Sequence, residues 1–213
     1  TKRANSANAI RPLISDLTGL VNRCEESFSD QSLPSIFKIP SFIESESLDE
    51  YLEENFYEAE DHSLVLHRKI EASDFTPCKL AVKNATDWIA SYSEISGINA
   101  TSQKLHLDML GRIQDKTLMA VLVEDGVEIA CGLGVLNKGL FGLFDIGTLS
   151  ANRNQGYGAK LLNGMLSWAV LNGATDSYLQ VVADNAPAIS LYRKLGFQDC
   201  YEYWYRIKSL SGS

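Results

Sequence analysis

The 213-residue sequence has no apolar stretch near the ~18–20 residues needed to cross a bilayer, and its first residues lack the hydrophobic segment of a secretory signal. It also has no C-x-x-C pair, and no histidine stands at metal-ligand spacing from a cysteine. These absences predict a soluble, cytoplasmic protein with no membrane association and no metal site. The four cysteines, Cys24, Cys78, Cys131 and Cys200, are expected to be reduced thiols in the core.

Clusters of Lys and Arg are absent as well, so nucleic acid is not an expected partner, because binding it requires basic groups that neutralise phosphates. The charge is unevenly distributed. Residues 1–76 hold 7 basic and 15 acidic side chains, whereas residues 77–213 hold 12 of each. The stretch 44–61 contains no Lys or Arg. It has two interpretations, a surface that steers a cationic substrate and a solvated helix face.

Residues 1–76 are predicted to form a small α/β unit, because apolar residues recur there at helical or alternating spacing. The predicted elements are a helix at about 11–28, a strand at 34–40, a short helix at 48–55 and a strand at 63–70. The sequence Phe75-Thr76-Pro77 is the predicted boundary, since a residue before proline is disfavoured in a helix.

Residues 77–213 are predicted to form a second domain with a regular order of elements. We expect a strand near 78–83, helices near 84–96 and 101–112, and strands at 118–124, 127–136 and 140–149. Asp125-Gly126 is a strong signal for a two-residue hairpin, and a second turn at 137–139 places three antiparallel strands side by side. A helix up to about 171, a strand at 177–182, a helix at 186–195 and a strand at 197–207 follow.

The most informative segment is Arg153-Asn154-Gln155-Gly156-Tyr157-Gly158-Ala159, which lies where a strand ends and a helix begins. Free backbone N–H groups and the helix dipole favour an anion there, and glycines let a phosphate approach the main chain. A Rossmann fingerprint requires a glycine where Leu161 stands, and no Walker sequence is present. Two interpretations of this segment remain, a turn that binds a pyrophosphate and a plain glycine-containing turn before a helix.

Two motifs resemble the GNAT superfamily of N-acetyltransferases. The segment 153–162, with Arg153, Gly156, Gly158 and Ala159, is similar to the Q/R-x-x-G-x-G/A acyl-CoA signature. The segment from Asn185 to Phe197 resembles the family's downstream motif, in which an Asn opens a helix and a Tyr near its end precedes Leu-Gly-Phe. The likeness covers roughly residues 77–210, and Ser150 stands where the family usually has a proline.

The resemblance implies an α/β (α+β) GNAT fold, a mixed and mostly antiparallel sheet flanked by helices, with a smaller α/β N-terminal unit. It implies acetyl-CoA as cosubstrate and no metal. The implied cofactor residues are Ile146, Gly147, Thr148, Leu149, Arg153, Asn154, Gln155, Gly156, Tyr157, Gly158, Ala159, Asn185 and Tyr192.

Tyr192 is the expected acid that protonates the CoA thiolate, with a core aromatic as its other interpretation. Asp145 is the candidate general base, with a solvent-facing carboxylate on an edge strand as the alternative. Asn185 either contacts the cofactor or caps its helix.

The predicted function is transfer of acetyl from acetyl-CoA to a primary amine of a small molecule or peptide by direct attack. The alternative is a non-catalytic acyl-CoA-binding or regulatory module. Residues 1–76 resemble the degenerate N-terminal half that one group of these proteins carries, and residues 77–213 are expected to be the catalytic domain. A monomer or homodimer is expected.

Overall fold

The computed structural model describes residues 2–3, 5–10, 16–43, 46–74 and 78–209. The chain forms two compact units, each built from separated segments. The first contains Thr1–Val65, Val181–Ala186 and Asp199–Ser213, and the second contains Leu66–Gln180 and Pro187–Gln198. The predicted boundary at Phe75-Thr76-Pro77 lies outside the described residues, and the division into domains 1–76 and 77–213 stays a prediction.

Six helices and nine strands are described. In chain order they are β1 (Ala7–Asn8), α1 (Leu17–Ser29), β2 (Ser35–Pro40), α2 (Glu46–Glu54), β3 (Glu58–Lys69), β4 (Ala81–Val82), α3 (Ala85–Ser96), α4 (Ala100–Leu110), β5 (Lys116–Glu124), β6 (Val127–Asn137), β7 (Leu140–Thr148), α5 (Tyr157–Leu171), β8 (Asp176–Val182), α6 (Ala186–Lys194) and β9 (Gln198–Lys208). Short 3₁₀ turns occupy Ala72–Asp74 and Ser150–Asn152.

In the first unit, β2 pairs in parallel with β1 and antiparallel with β9. The core of this unit forms where the apolar positions of α1 and α2 pack with those of β2. Its buried members are Val21, Phe37, Ile39, Leu48, Leu52 and Tyr57. Asp16 caps α1 by accepting a hydrogen bond from the Gly19 N–H at 3.0 Å.

Internal ion pairs neutralise part of the negative charge of the acidic stretch 44–61. Asp49 and Glu53 both bind Arg206, and Glu60 and Asp61 both bind Lys2. A carboxylate next to a cation contributes little to the field at long range. The structure therefore weakens the interpretation of this stretch as a surface that steers a cationic substrate.

In the second unit, β4, β5, β6 and β7 are antiparallel neighbours in that order, and β8 pairs in parallel with β7. Two-residue turns join β5 to β6 and β6 to β7. Asp125 and Gly126 have φ angles of 49° and 80°, and Lys138 and Gly139 have 46° and 85°. Positive φ at both central positions matches the twist of a hairpin. The two predicted hairpins are confirmed.

Helices cover both faces of this sheet. Cys131 of β6 packs in a cluster with Trp88, Ile89 and Ile95 of α3. A Cβ on the next residue, Gly132, would lie 2.8 Å from the Met165 sulfur of α5. Successive residues of a strand point to opposite faces, so α3 and α5 pack on opposite sides. The predicted mixed, mostly antiparallel sheet flanked by helices is confirmed.

Several local predictions differ from the structure. The strand predicted near 78–83 is only Ala81–Val82, and β3 begins at Glu58 rather than near residue 63. The helix predicted from about residue 11 begins at Leu17 in the described part, since residues 11–15 lie outside it. The prediction that all four cysteines lie in the core was wrong. Cys131 is buried, but Cys200 is exposed.

Among the described residues, no helix is both long and apolar enough to span a membrane. The same residues contain no group of three or more His, Cys, Asp or Glu side chains placed to hold a metal ion.

Candidate active site

The parallel strands β7 and β8 separate part-way along their length. Their backbone ladder joins Leu140 to Asp176 and ends at Leu143 and Leu179. From Phe144 to Thr148, β7 continues without a ladder partner on β8. This opening exposes a β7 backbone edge, and such an edge can bind an extended ligand as an added strand.

A bulge in β7 lies where the two strands part. Leu133 of β6 pairs with Phe144, and Cys131 pairs with Gly147, so β7 has one residue more than β6 over this span. Asp145 lies in the bulge with a φ of 52°, a left-handed conformation that Asp tolerates better than most residues. A bulge bends its strand, which turns β7 away from β8.

Backbone alternation determines which groups of β7 face the opening. The Leu149 N–H donates to the Ile129 carbonyl on the β6 side at 2.8 Å. In a ladder, successive residues direct their polar groups to opposite edges, so those of Thr148 and Ile146 point away from β6. Of the four predicted pantetheine contacts, Ile146 and Thr148 are therefore the two with backbone groups on the open edge, and Gly147 and Leu149 face β6.

Helix α5 begins just after this strand, and no side chain caps its N-terminus. By contrast, Asp16, Asn84 and Asn99 each cap a helix by accepting a hydrogen bond from a backbone N–H. The first N–H groups of an α-helix have no partner within the helix, and they carry the positive end of its dipole. The N-terminus of α5 thus presents uncompensated donors to an anion.

The turn before α5 is shaped by two left-handed residues, Asn154 with φ 61° and Gly156 with φ 85°. The Arg153 Nε donates to the Thr148 carbonyl at 3.3 Å, and the Gln155 amide donates to the Ala151 carbonyl at 3.0 Å. The first bond ties the turn to the end of β7, and the second ties it to the 3₁₀ turn Ser150–Asn152. A Cβ on Gly156 would meet no atom within 4 Å, so the space above this position is open.

Gly158 allows α5 to pack closely on its neighbours. A Cβ at this position would lie 3.1 Å from a Leu191 methyl of α6 and 3.8 Å from the Thr148 hydroxyl of β7. The missing side chain lets the N-terminus of α5, the end of β7 and α6 meet at one point. Tyr157, Gly158 and Ala159 form the first turn of α5, so these three predicted residues lie at its uncapped N-terminus.

Tyr192 follows Leu191 on α6 and is buried, with its ring edge-on to Phe197 at a centroid distance of 6.3 Å. Burial raises the pKa of Tyr192 to about 12. The phenol is therefore protonated at neutral pH and can donate a proton. Its position suits both interpretations drawn from the sequence, a proton donor and a core aromatic.

Asn185 immediately precedes α6, and its backbone N–H donates to the Val182 carbonyl at 3.0 Å. This residue lies in the first unit, whereas the turn at 153–159 lies in the second. Its predicted contact with the cofactor stays a prediction.

Asp145 lies beside a residue that the sequence did not single out, His106 of α4. The His106 Nε2 lies 3.0 Å from the Asp145 Oδ2. Asp145 lies on the stretch of β7 that has no β8 partner, and its side chain is 27% exposed, so a carboxylate that faces water stays its other interpretation. No local motif marks His106, because the contact arises from packing of α4 against the sheet.

The fold and this site can be compared with known proteins. The family model described as the Acetyltransferase (GNAT) family matches residues 83–197, more than half of the chain. The chain belongs to the GNAT acetyltransferase family. The matched range contains β7, the turn at 153–159, α5 and the α6 tyrosine.

A curated relative, the uncharacterized N-acetyltransferase YobR of Bacillus subtilis strain 168, is 28% identical over 217 residues, covering 98% of this chain and 86% of that protein. A solved GCN5-related N-acetyltransferase from Kribbella flavida has a TM-score of 0.71 at 18% identity, over 97% of this chain and 81% of that one. A solved tandem GNAT protein from the clavulanic acid biosynthesis pathway has a TM-score of 0.66 at 12% identity, over 91% and 69%.

The family implies acetyl-CoA as cosubstrate, and the residues of this chain fit that molecule. The uncapped N-terminus of α5 suits its pyrophosphate, and the open β7 edge at Ile146 and Thr148 suits the amides of its pantetheine arm.

Proposed function

We propose that this chain transfers the acetyl group of acetyl-CoA to a primary amine by direct attack of the amine on the thioester. The observation that carries the proposal is the open β7 edge, which is followed after the short connection 149–156 by the uncapped N-terminus of α5. Gln155 to Ala159 hold the pyrophosphate through their backbone N–H groups, with Arg153 and Asn154 shaping the turn. The segment Ile146–Leu149 holds the pantetheine arm, and Tyr192 completes the cofactor site.

Two side chains of this site manage the protons. The Tyr192 hydroxyl protonates the departing CoA thiolate, a role supported by its place on α6 directly after Leu191, which packs against Gly158 at the start of α5. The Asp145 carboxylate takes part in removing the proton from the acceptor ammonium, as the candidate general base. Its place in the bulge, next to the open edge, supports this role. The acceptor is an amine of a small molecule or a peptide.

A Tyr192→Phe variant tests the proposal. It removes only the hydroxyl, so we expect kcat to fall by about 10- to 100-fold while the Kd for acetyl-CoA, measured by calorimetric titration, changes by less than about twofold. Tyr51→Phe, which removes a hydroxyl in the first unit, is the control and should leave kcat unchanged. An unchanged kcat in Tyr192→Phe would contradict the acid role, and no acetyl-CoA binding by the native chain would contradict the function itself.

We also propose that residues 1–76 derive from a degenerate GNAT-like half and that residues 77–213 form the catalytic domain. The fold likeness to the tandem GNAT protein, which spans 91% of this chain, supports a two-part organisation. The first unit also contains Val181–Ala186 and Asp199–Ser213. Part of the proposed catalytic domain, residues 77–213, therefore belongs to the first compact unit.

A further inference from the structure

The imidazole of His106 is held in place by aromatic rings. Trp88 and Tyr92 of α3 stack on each other at 5.2 Å between centroids, with 8° between their planes. Each meets the His106 ring edge-on, at 6.0 Å for Trp88 and 5.2 Å for Tyr92. Trp88 is fully buried, and its indole N–H donates to the Ala120 carbonyl at 3.2 Å. The orientation of the imidazole is therefore fixed by rigid neighbours.

Tyr92 of α3 and Asp145 of β7 lie beside this ring, and Cys131 of β6 is a third titratable group, close to Tyr92 and Asp145. Burial, and next the charge of Asp145, raises the pKa of Tyr92. Burial, followed by the charges of Asp145 and Glu128, raises the pKa of Cys131 to about 12. The phenol and the thiol thus stay neutral at physiological pH, and the Asp145 carboxylate acts on the imidazole across a 3.0 Å separation.

The pair stands at the end of the open edge that a thioester would reach. The segment Ile146–Leu149 spans about 13 Å at about 3.3 Å per residue. With the pyrophosphate at the α5 N-terminus and the pantetheine arm running back along this segment, the reactive end of the cofactor points toward Asp145. The side chains of His106 and Asp145 are 19% and 27% exposed, so the pair is shielded but not sealed from solvent.

We propose that His106 is the group that accepts the proton from the acceptor ammonium, and that Asp145 acts through it as a positioning residue. This inference rests on the proposed function. The carboxylate beside Nε2 favours a proton on that nitrogen, which leaves the Nδ1 lone pair as the acceptor. The sequence-based role of Asp145 is thereby refined from the base itself to the group that fixes the tautomer of the base.

The proton and bond changes balance. The ammonium gives one proton to Nδ1 of His106, and the freed amine nitrogen forms a bond to the acetyl carbonyl carbon. The C–S bond breaks, and the sulfur takes a proton from the Tyr192 hydroxyl, which is restored by the second proton that the new amide nitrogen loses. The imidazolium then returns its proton to solvent, the single proton that the overall reaction releases.

His106→Gln and Asp145→Asn test the inference. We expect His106→Gln to lower kcat/KM by about 100-fold or more, because general base catalysis contributes about 10²–10⁴-fold, and to abolish the rise of kcat/KM with pH. Asp145→Asn keeps an oxygen beside Nε2 and should lower kcat/KM by about tenfold. Both variants should keep the native Kd for acetyl-CoA. If His106→Gln melts well below the native chain, His106→Asn replaces it.

His67→Gln is the matched control, because His67 also lies beside a carboxylate, that of Asp176 at 2.8 Å, but on β3 and away from the open β7 edge. It should leave kcat/KM unchanged. Independent of activity, ¹⁵N NMR of the imidazole should show a protonated Nε2 and an unprotonated Nδ1 in the neutral ring of His106, with Asp145→Asn weakening that preference.

The outcomes separate the inference from the proposed function. A larger loss in Asp145→Asn than in His106→Gln would overturn the inference and make the carboxylate itself the base, with acetyl transfer intact. Unchanged kcat/KM in both variants would also overturn it, and would place the base elsewhere. Absence of acetyl-CoA binding and transfer in the native chain would instead contradict the proposed function.

Discussion

A Gly156→Asp variant is expected to bind acetyl-CoA about 10- to 100-fold more weakly than a Gly156→Asn variant. Gly156 has φ 85° and lies at the uncapped start of α5, where the pyrophosphate is proposed to bind. Two unit charges about 5 Å apart at an effective dielectric constant of about 20 repel by about 3 kcal/mol, and each 1.4 kcal/mol changes Kd tenfold. Solvent screens the repulsion at this exposed turn, so a 100-fold difference in Kd is the upper end of the expected range.

Asn is the matched control because it has the size of Asp and tolerates a left-handed backbone, so the comparison isolates the charge. Calorimetric titration at about 0.05 M and 1 M NaCl measures both variants, and the difference between them should shrink at high salt. Equal Kd values for Asp and Asn at low salt would show that no phosphate lies near residue 156. Thermal melts of the two proteins exclude a difference in folding.

The cofactor part of the site could be predicted because it is local in sequence. The end of β7, the turn at 153–159 and the start of α5 are consecutive, so one stretch of sequence carries the strand, the glycines and the helix start. Spacing alone indicates an anion site there. It does not show that β7 leaves β8 at Leu143, because the bulge at Asp145 is set by pairing with β6.

The proton-accepting part could not be predicted in the same way. The sequence placed His106 on a helix, but helix periodicity does not say which strand that helix packs against. The contact with Asp145 depends on the clustering of α3 and α4 residues over β6. The start of β3 was missed for a different reason: Glu58, Glu60 and Asp61 are polar and exposed, so the apolar alternation that marks a strand begins only later.

The largest expected loss of stability follows from replacing Arg206 of β9 with Met. Its guanidinium is 9% exposed, donates to both Asp49 oxygens at 2.8 and 3.0 Å and to Glu53 at 3.0 Å, and contacts the Tyr57 carbonyl at 3.3 Å. Arg206→Met leaves the Asp49 carboxylate partly buried without its cation. We expect the free energy of unfolding in urea at pH 7 to fall by about 3 kcal/mol.

Lys208→Met is the control, since Lys208 pairs with Glu25 at 3.0 Å through a side chain that is 41% exposed. Its removal should cost less than about 1 kcal/mol. Equal losses of unfolding free energy in the two variants would show that the buried Arg206 ion pair stabilises the fold no more than the exposed Lys208 pair.

The pH dependence of this loss identifies Asp49 as its source. Burial alone would raise the pKa of Asp49, but hydrogen bonds from Arg206 and Trp204 and the charge of Arg206 outweigh it and hold the pKa below its usual 3.8. A depressed carboxylate pKa stabilises the fold above the unfolded-state value, and this contribution is lost as pH falls through the folded-state pKa. In Arg206→Met the Trp204 hydrogen bond remains, but the hydrogen bonds and the charge of Arg206 are lost, so Asp49 takes up its proton at higher pH than in the native chain. The stability difference between native chain and variant should therefore narrow as pH falls toward 3, and a constant difference from pH 7 to 3 would assign the loss to packing of the Arg206 side chain instead.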